Sequence, residues 1–261
     1  MATRIELDRV TIALDDAGAG APVLLLHGFP ANRQLWSTVA PILVDAGFRV
    51  LVPDLVGYGT TDAPAGVCID MASQARWIVQ MLDQLGLTRV AVVAHDVGSA
   101  AAQILAVTVP QRLRGLAVLD GVYADNWAMD AVTSIQQWEP DEAHRLFPVL
   151  ARRLGKSDAL RQMFKAYEGT DGGRRLIRAA RDLDSTQTAH ISEALRTSGI
   201  PALVIWGEQD AIFPIDTVAR PLAALLHAEL RLVPGGHFTP LDCPIEVANA
   251  LSGFLRQLPI P

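Results

Sequence analysis

Short, largely apolar runs recur along the chain: Pro22-Val23-Leu24-Leu25-Leu26, Phe48 to Val52, Val90 to Ala94, Leu113 to Leu119, Ala202 to Trp206 and Leu230 to Val233, with Arg49, Arg114 and Arg231 the only charged residues in them. Runs this short that lack polar alternation predict strands covered on both faces. Ile5 to Leu7 and Thr11 to Leu14, parted by Asp8-Arg9, add a hairpin-like start. Longer segments with helix signals fall between the strands. Asn32 caps a helix to about Asp45 that Gly47 stops, and Asp70 opens another to Leu85, closed by Gly86. Gly98 to Val109, Asp216 to Leu226 and Ile245 to Arg256 complete the set. Strand and helix in alternation with short links predict an α/β fold, a mostly parallel eight-stranded sheet with helices on both faces.

The rhythm lapses from about Val122 to His190. That segment is helical and charged, with Trp127, Trp138, His144, Phe147, Phe164 and Tyr167 spaced through it. It predicts a helical lid, residues 122–190, inserted over the strand ends of a core formed by 1–121 and 191–261.

One junction carries candidate chemistry. The strand Val90 to Ala94 turns at once into the Ala-rich helix through Ala94-His95-Asp96-Val97-Gly98. A sharp strand-to-helix turn pushes its central side chain above the sheet, with the first helical N–H groups pointing at whatever that side chain binds. In Gly-x-Ser-x-Gly turns small residues flank a serine; here the flanks are small and the centre is Asp96.

Composition narrows the partners. A chain of 261 residues, 50% hydrophobic, can bury a large core, and a net charge of −6 argues against nucleic acid or an anionic membrane surface. Two distant cysteines, Cys68 and Cys243, give no metal-ligand spacing, so no metal and a reduced, cytoplasmic setting are expected. No apolar run approaches the roughly 18 residues of a membrane span. A monomer or homodimer is expected.

Five motifs in order carry a family resemblance: His27-Gly28-Phe29-Pro30; Pro53-Asp54-Leu55 with Gly57-Tyr58-Gly59; Ala94-His95-Asp96-Val97-Gly98; Trp206-Gly207-Glu208-Gln209-Asp210; and Gly235-Gly236-His237-Phe238. The chain resembles the α/β-hydrolase fold over essentially its whole length outside the lid. Its aspartate at the elbow is similar to that of epoxide hydrolases and of haloalkane and haloacetate dehalogenases. With a reference pKa of about 3.9, such a carboxylate is on the order of 99.9% ionised at neutral pH and needs no base to attack a saturated carbon. The resemblance implies a cofactor-independent hydrolase: Asp96 forms an alkyl ester, and His237 draws a proton from the water that hydrolyses it. It further implies Asp210 as the acid behind His237, with Asp120 as the alternative acid, and the N–H groups of Phe29 and Val97 as oxyanion donors.

His27 and His95 are expected to brace backbone, Tyr58 and Asp54 to pack their loop, and His144, His190 and His227 to face solvent. The positions after His-Gly and after the nucleophile hold Phe29 and Val97, where haloalkane dehalogenases keep Asn and Trp for the halide. Val97 and Ala100 likewise offer nothing to a substrate carboxylate. Epoxide opening is therefore slightly preferred over carbon–halogen cleavage. Tyr123 and Tyr167 are candidate proton donors and Trp127 and Trp138 candidate halide contacts, with lid packing the leading alternative for all four, and Phe238 is a further substrate contact. The lid aromatics suggest a small, largely apolar organic substrate and water. An esterase, lactonase or carbon–carbon hydrolase using Asp96 as base, and a non-catalytic ligand-binding protein, are the alternatives.

Overall fold

The computed structural model describes residues 3–154 and 157–259. Eight strands form one sheet: β1 (Thr3–Glu6), β2 (Thr11–Ala17), β3 (Pro22–Leu26), β4 (Arg49–Pro53), β5 (Val90–His95), β6 (Leu113–Leu119), β7 (Ala202–Gly207) and β8 (Glu229–Val233). Their spatial order is β1-β2-β4-β3-β5-β6-β7-β8. β1 pairs antiparallel with β2 and β2 with β4; all later pairs are parallel. Every residue of β3, β5 and β6 is buried. Each such Val or Leu contributes about 1.5–3 kcal/mol through lost apolar exposure, which is why these runs carry no polar alternation.

Among the described residues, twelve α-helices accompany the sheet. Around the first strands are α1 (Val39–Asp45), α2 (Met71–Gln84) and α3 (Gly98–Thr108). Next come α4 (Asp130–Gln136), α5 (Pro140–Leu154), α6 (Asp158–Phe164), α7 (Gly169–Arg181), α8 (Thr186–Ala189) and α9 (Ser192–Thr197), and finally α10 (Arg220–Leu225), α11 (Thr239–Asp242) and α12 (Pro244–Gln257). Asp70 caps α2 by accepting from Ser73 N–H at 2.6 Å. The helix expected from Asn32 to Asp45 is two pieces, a 3₁₀ turn Arg33–Trp36 followed by α1. Pro41 explains the break: it has no N–H for Ser37, and its ring clashes with that carbonyl in a continuous helix, so it sits in the first turn of a new one.

Polar contacts tie the helices between β6 and β7 to the core. Asn32 Nδ2 donates to Met163 O at 2.9 Å, and Gln103 Nε2 to Val122 O at 2.9 Å. From α7 the Arg178 guanidinium donates to the carbonyls of Ala63, Pro64 and Val67. These bonds anchor α6, α7 and the chain leaving β6 to the core, and Val132 and Ile135 of α4 and Leu150 of α5 come to line a cavity with Asp96 at the elbow.

Candidate active site

Asp96 stands at the first residue after β5, with a left-handed φ of 53°. The turn is held from both sides: Asp96 N–H donates to Leu119 O at 3.2 Å, and its own carbonyl accepts from Ser99 N–H at 2.9 Å and Ser99 Oγ at 2.7 Å. Two glycines make room for it. A Cβ on Gly28 would lie 2.1 Å from Asp96 Oδ1, and one on Gly98 would lie 2.1 Å from His27 O. With that space kept open, Phe29 N–H donates to Oδ1 at 2.7 Å. The Val97 backbone N–H also favours the charged carboxylate.

His237 follows β8, and Asp210 follows β7. The His237 Nδ1–H donates to Asp210 Oδ2 at 3.1 Å, and Nε2 lies 3.5 Å from Asp96 Oδ2. The other Asp210 oxygen accepts from Ile212 N–H at 2.7 Å and Phe213 N–H at 3.1 Å, so the carboxylate is locked in plane behind the ring. The two oxygens of Asp96 therefore differ. Oδ1 is held by the Phe29 N–H, and Oδ2 faces the imidazole.

All three side chains are at most 7% exposed, so their charges interact without much screening. Burial alone would lower the His237 pKa, but hydrogen bonds and charge from Asp210 and Asp96 outweigh it and raise the ring to about 10. Burial likewise opposes the Asp96 charge, yet His237 beside it holds that carboxyl below its usual range. The resting site is an imidazolium between two carboxylates.

The surrounding polar residues brace this arrangement. His95 Nε2–H donates to His237 O at 2.7 Å, and burial drives the His95 pKa down to about 4, so the ring stays neutral and holds the backbone of its neighbour. His27 Nε2 accepts from Leu55 N–H at 3.0 Å. Buried Asp54 accepts from Arg33 N–H and Thr60 N–H, both at 2.8 Å, and ties the loop carrying Tyr58. Asp120 has a different place from the alternative-acid expectation. Oδ1 accepts from Gly207 N–H at 2.7 Å and Oδ2 from the Thr239 hydroxyl, leaving no carboxylate oxygen on His237. Burial pushes the Asp120 carboxyl well above its ordinary range, which favours the neutral acid. His144, His190 and His227 are exposed.

A cavity of about 70 Å³ opens in front of Asp96 and His237. Phe29, Val97, Trp127 and Phe238 line it, as do Ala128, Val132 and Ile135 along the α4 side. The sequence expectations missed that last trio, although Val132 and Ile135 stand three residues apart on one face of α4; Ala128, with a left-handed φ of 50°, precedes the helix. Trp138, Tyr123 and Tyr167 do not line this cavity. Trp138 and Tyr123 are half-buried, and Tyr123 forms an isolated bridge with Asn126. Tyr167 packs edge-on against Phe147 at 5.4 Å instead. Trp127 reaches the cavity, but its indole N–H already donates to Thr188 Oγ1 at 2.8 Å and Ala124 O at 3.1 Å. Among the described residues, no cluster of His, Cys, Asp and Glu could hold a metal ion, and no helix is long and apolar enough to cross a membrane.

The α/β hydrolase fold family matches residues 21–244. The chain is 30% identical over 257 residues to haloalkane dehalogenase 2 of Mycobacterium tuberculosis, covering 90% of this chain and 88% of that protein. It is 26% identical over 286 residues to a haloalkane dehalogenase of Mesorhizobium japonicum, with 95% and 89% covered. The crystal structure of an α/β hydrolase fold protein from Burkholderia ambifaria superposes with a TM-score of 0.87 at 23% identity, over 96% of each chain. The eight-stranded sheet, the elbow after β5 and these likenesses agree: the chain belongs to the α/β hydrolase fold family, as an enzyme resembling its dehalogenase and epoxide hydrolase members.

Proposed function

We propose that the protein hydrolyses small apolar electrophiles through an ester on Asp96, and that epoxides are its substrates. The carrying observation is the asymmetry of the Asp96 carboxylate, Oδ1 held by Phe29 N–H at 2.7 Å and Oδ2 facing His237 Nε2 at 3.5 Å across an apolar cavity. Oδ2 is the free nucleophile. It attacks one ring carbon, the carbon–oxygen bond breaks, and the departing oxygen takes the Nε2 proton of His237. The hydroxy-ester that results no longer carries the Asp96 charge, and the imidazole is left neutral.

That neutral ring then accepts a proton from water attacking the Asp96 carboxyl carbon. Negative charge develops on Oδ1, where the Phe29 N–H already donates, and the Val97 N–H, which favours the charged carboxylate, completes the pair of donors. Collapse expels the glycol with Oδ2, protonated by His237, and the proton on the new carboxyl group returns to the ring. Asp210 orients the imidazole and stabilises its charged form throughout.

The proton inventory favours an epoxide over a halide. An opened epoxide needs a proton, and a ring held charged to about pH 10 supplies one. A halide needs donors instead, and Trp127 N–H is already engaged. Carbon–halogen cleavage is the second reading, favoured by the names of the M. tuberculosis and M. japonicum relatives. Diol formation from styrene oxide is compared with halide release from 1-bromobutane; faster halide release overturns the epoxide reading. One turnover in heavy-oxygen water then places label in the Asp96 peptide. Product without label, or ester turnover surviving Asp96→Asn, overturns the ester route, and the absence of any turnover overturns the catalytic reading.

A further inference from the structure

A second cavity, about 510 Å³, lies within the helices above the sheet and is unconnected with the chemistry at Asp96. Its volume falls in the range of pockets that hold whole organic ligands. Phe147 and Ala151 of α5, Phe164 of α6 and Tyr167 give it an apolar interior, and Arg152 and Lys165 stand at its rim. Tyr167 is 2% exposed, and its hydroxyl has no hydrogen-bond partner among the described residues. The Phe147, Phe164 and Phe238 rings, in successive edge contacts of 5.4 and 6.3 Å, separate this cavity from the one at Asp96.

The charge here runs against the rest of the molecule. Between 143 and 168 the chain has six Lys and Arg against Asp158 and Glu168, in a protein of net charge −6, and Glu168 is the one acidic side chain among the cavity's lining residues, against Arg152, Arg161 and Lys165. Arg161, also at the rim, is paired with Asp158, but Arg152 and Lys165 form no ion pair among the described residues. Both are exposed, so neither is held there by packing. Unpaired cations around an aromatic-walled chamber complement a ligand that is apolar along its length and anionic at one end.

We infer that this cavity is a binding site for a mid-sized amphipathic carboxylate, its chain against Phe147, Phe164 and Tyr167 and its carboxylate between Arg152 and Lys165. The site stands independently of the reaction assigned to Asp96.

Decanoate and decanol, titrated calorimetrically below their micellar or solubility limits into the full chain carrying Asp96→Asn, provide the test. Decanoate is expected to bind one to one, at least tenfold tighter than decanol. The double variant Arg152→Ala, Lys165→Ala brings the two within about threefold of each other, since it removes two rim charges and leaves the interior intact. Ala151→Trp fills the chamber and abolishes binding of both, with circular dichroism and the melting midpoint as the fold control. Ile135→Trp, which fills the Asp96 cavity instead, leaves decanoate affinity within twofold. Equal affinity for acid and alcohol, no saturable binding, an affinity unmoved by the double variant, or loss only in Ile135→Trp overturns the inference. So does tight binding of phosphatidylglycerol vesicles that Ala151→Trp leaves intact, which assigns the basic patch to a lipid surface.

Discussion

Asp96→Asn removes one of the two carboxylates that hold the proton on His237, with almost no change in shape. The wild-type ring rises from 6.5 to about 10 although burial works against it. At about 1.4 kcal/mol per pH unit that rise is on the order of 5 kcal/mol of preference for the charged form. Asp210 at 3.1 Å and Asp96 at 3.5 Å share the work. With one charge gone and burial unchanged, the midpoint is expected to fall well below the wild-type value of about 10. Proton NMR of the imidazole Hε1, followed from pH 5 to 11, reads both values directly. A wild-type ring titrating near 6.5, or a variant with the wild-type midpoint, refutes the electrostatic argument. The sign of the stability effect follows. Native protein binds the His237 proton more tightly than unfolded chain, so this contribution is complete below about pH 6.5 and disappears as pH climbs through about 10. The depressed Asp96 pKa works oppositely, adding stability above its unfolded value and losing it as pH falls through its folded one. Wild type therefore loses more stability to urea than Asp96→Asn between pH 7 and 10. Esterification deletes the same charge that the variant deletes, which turns the imidazolium of the resting enzyme into the base the second step requires.

Asp210→Asn leaves Oδ2 free to attack but robs the imidazole of its remaining carboxylate, so hydrolysis of the ester slows by on the order of 10³ and the adduct accumulates in intact-protein mass spectra. Gly28→Ala puts a Cβ where Oδ1 now sits, 2.1 Å away, and turnover falls at least about a hundredfold with the circular dichroism spectrum retained. Asp120→Asn keeps one acceptor and gains a donor between Gly207 and Thr239; turnover stays within about threefold while stability drops about 1–2 kcal/mol in urea. Arg178→Ala frees three carbonyls of the loop under α7, and hydrogen exchange there is expected to rise before exchange in β5 does.

The central strands β3, β5, β6 and β7 were legible because each is a nearly continuous apolar run buried along almost its whole length, whereas β1 and β2 were reached only as a hairpin-like start. The place of Asp96 at the elbow was legible for a related reason: it is written in the residues beside it, a strand before, a helix after and no bulk at Ala94 or Gly98. His237 and Asp210 depend on loops brought together from β7 and β8, and sequence reached them only through the family's motifs. The lid resisted. Its aromatics look alike in the chain, yet Trp127 spends its N–H on Thr188, 61 residues away, and Tyr167 turns toward Phe147. A helical stripe says which residues are covered and not what covers them. Ala128, Val132 and Ile135 face the nucleophile because the Arg178 and Gln103 contacts seat the lid, and long-range polar contacts of that kind leave no periodic trace. The bond the enzyme cleaves is thus decided in the part of the chain whose pattern says least. With neither Tyr123 nor Tyr167 at the cavity and the Trp127 N–H engaged, the proposed reaction leaves His237 to protonate the leaving oxygen and then, once neutral, to take a proton from water, so that one residue found through its motif would carry a role that the lid was expected to share.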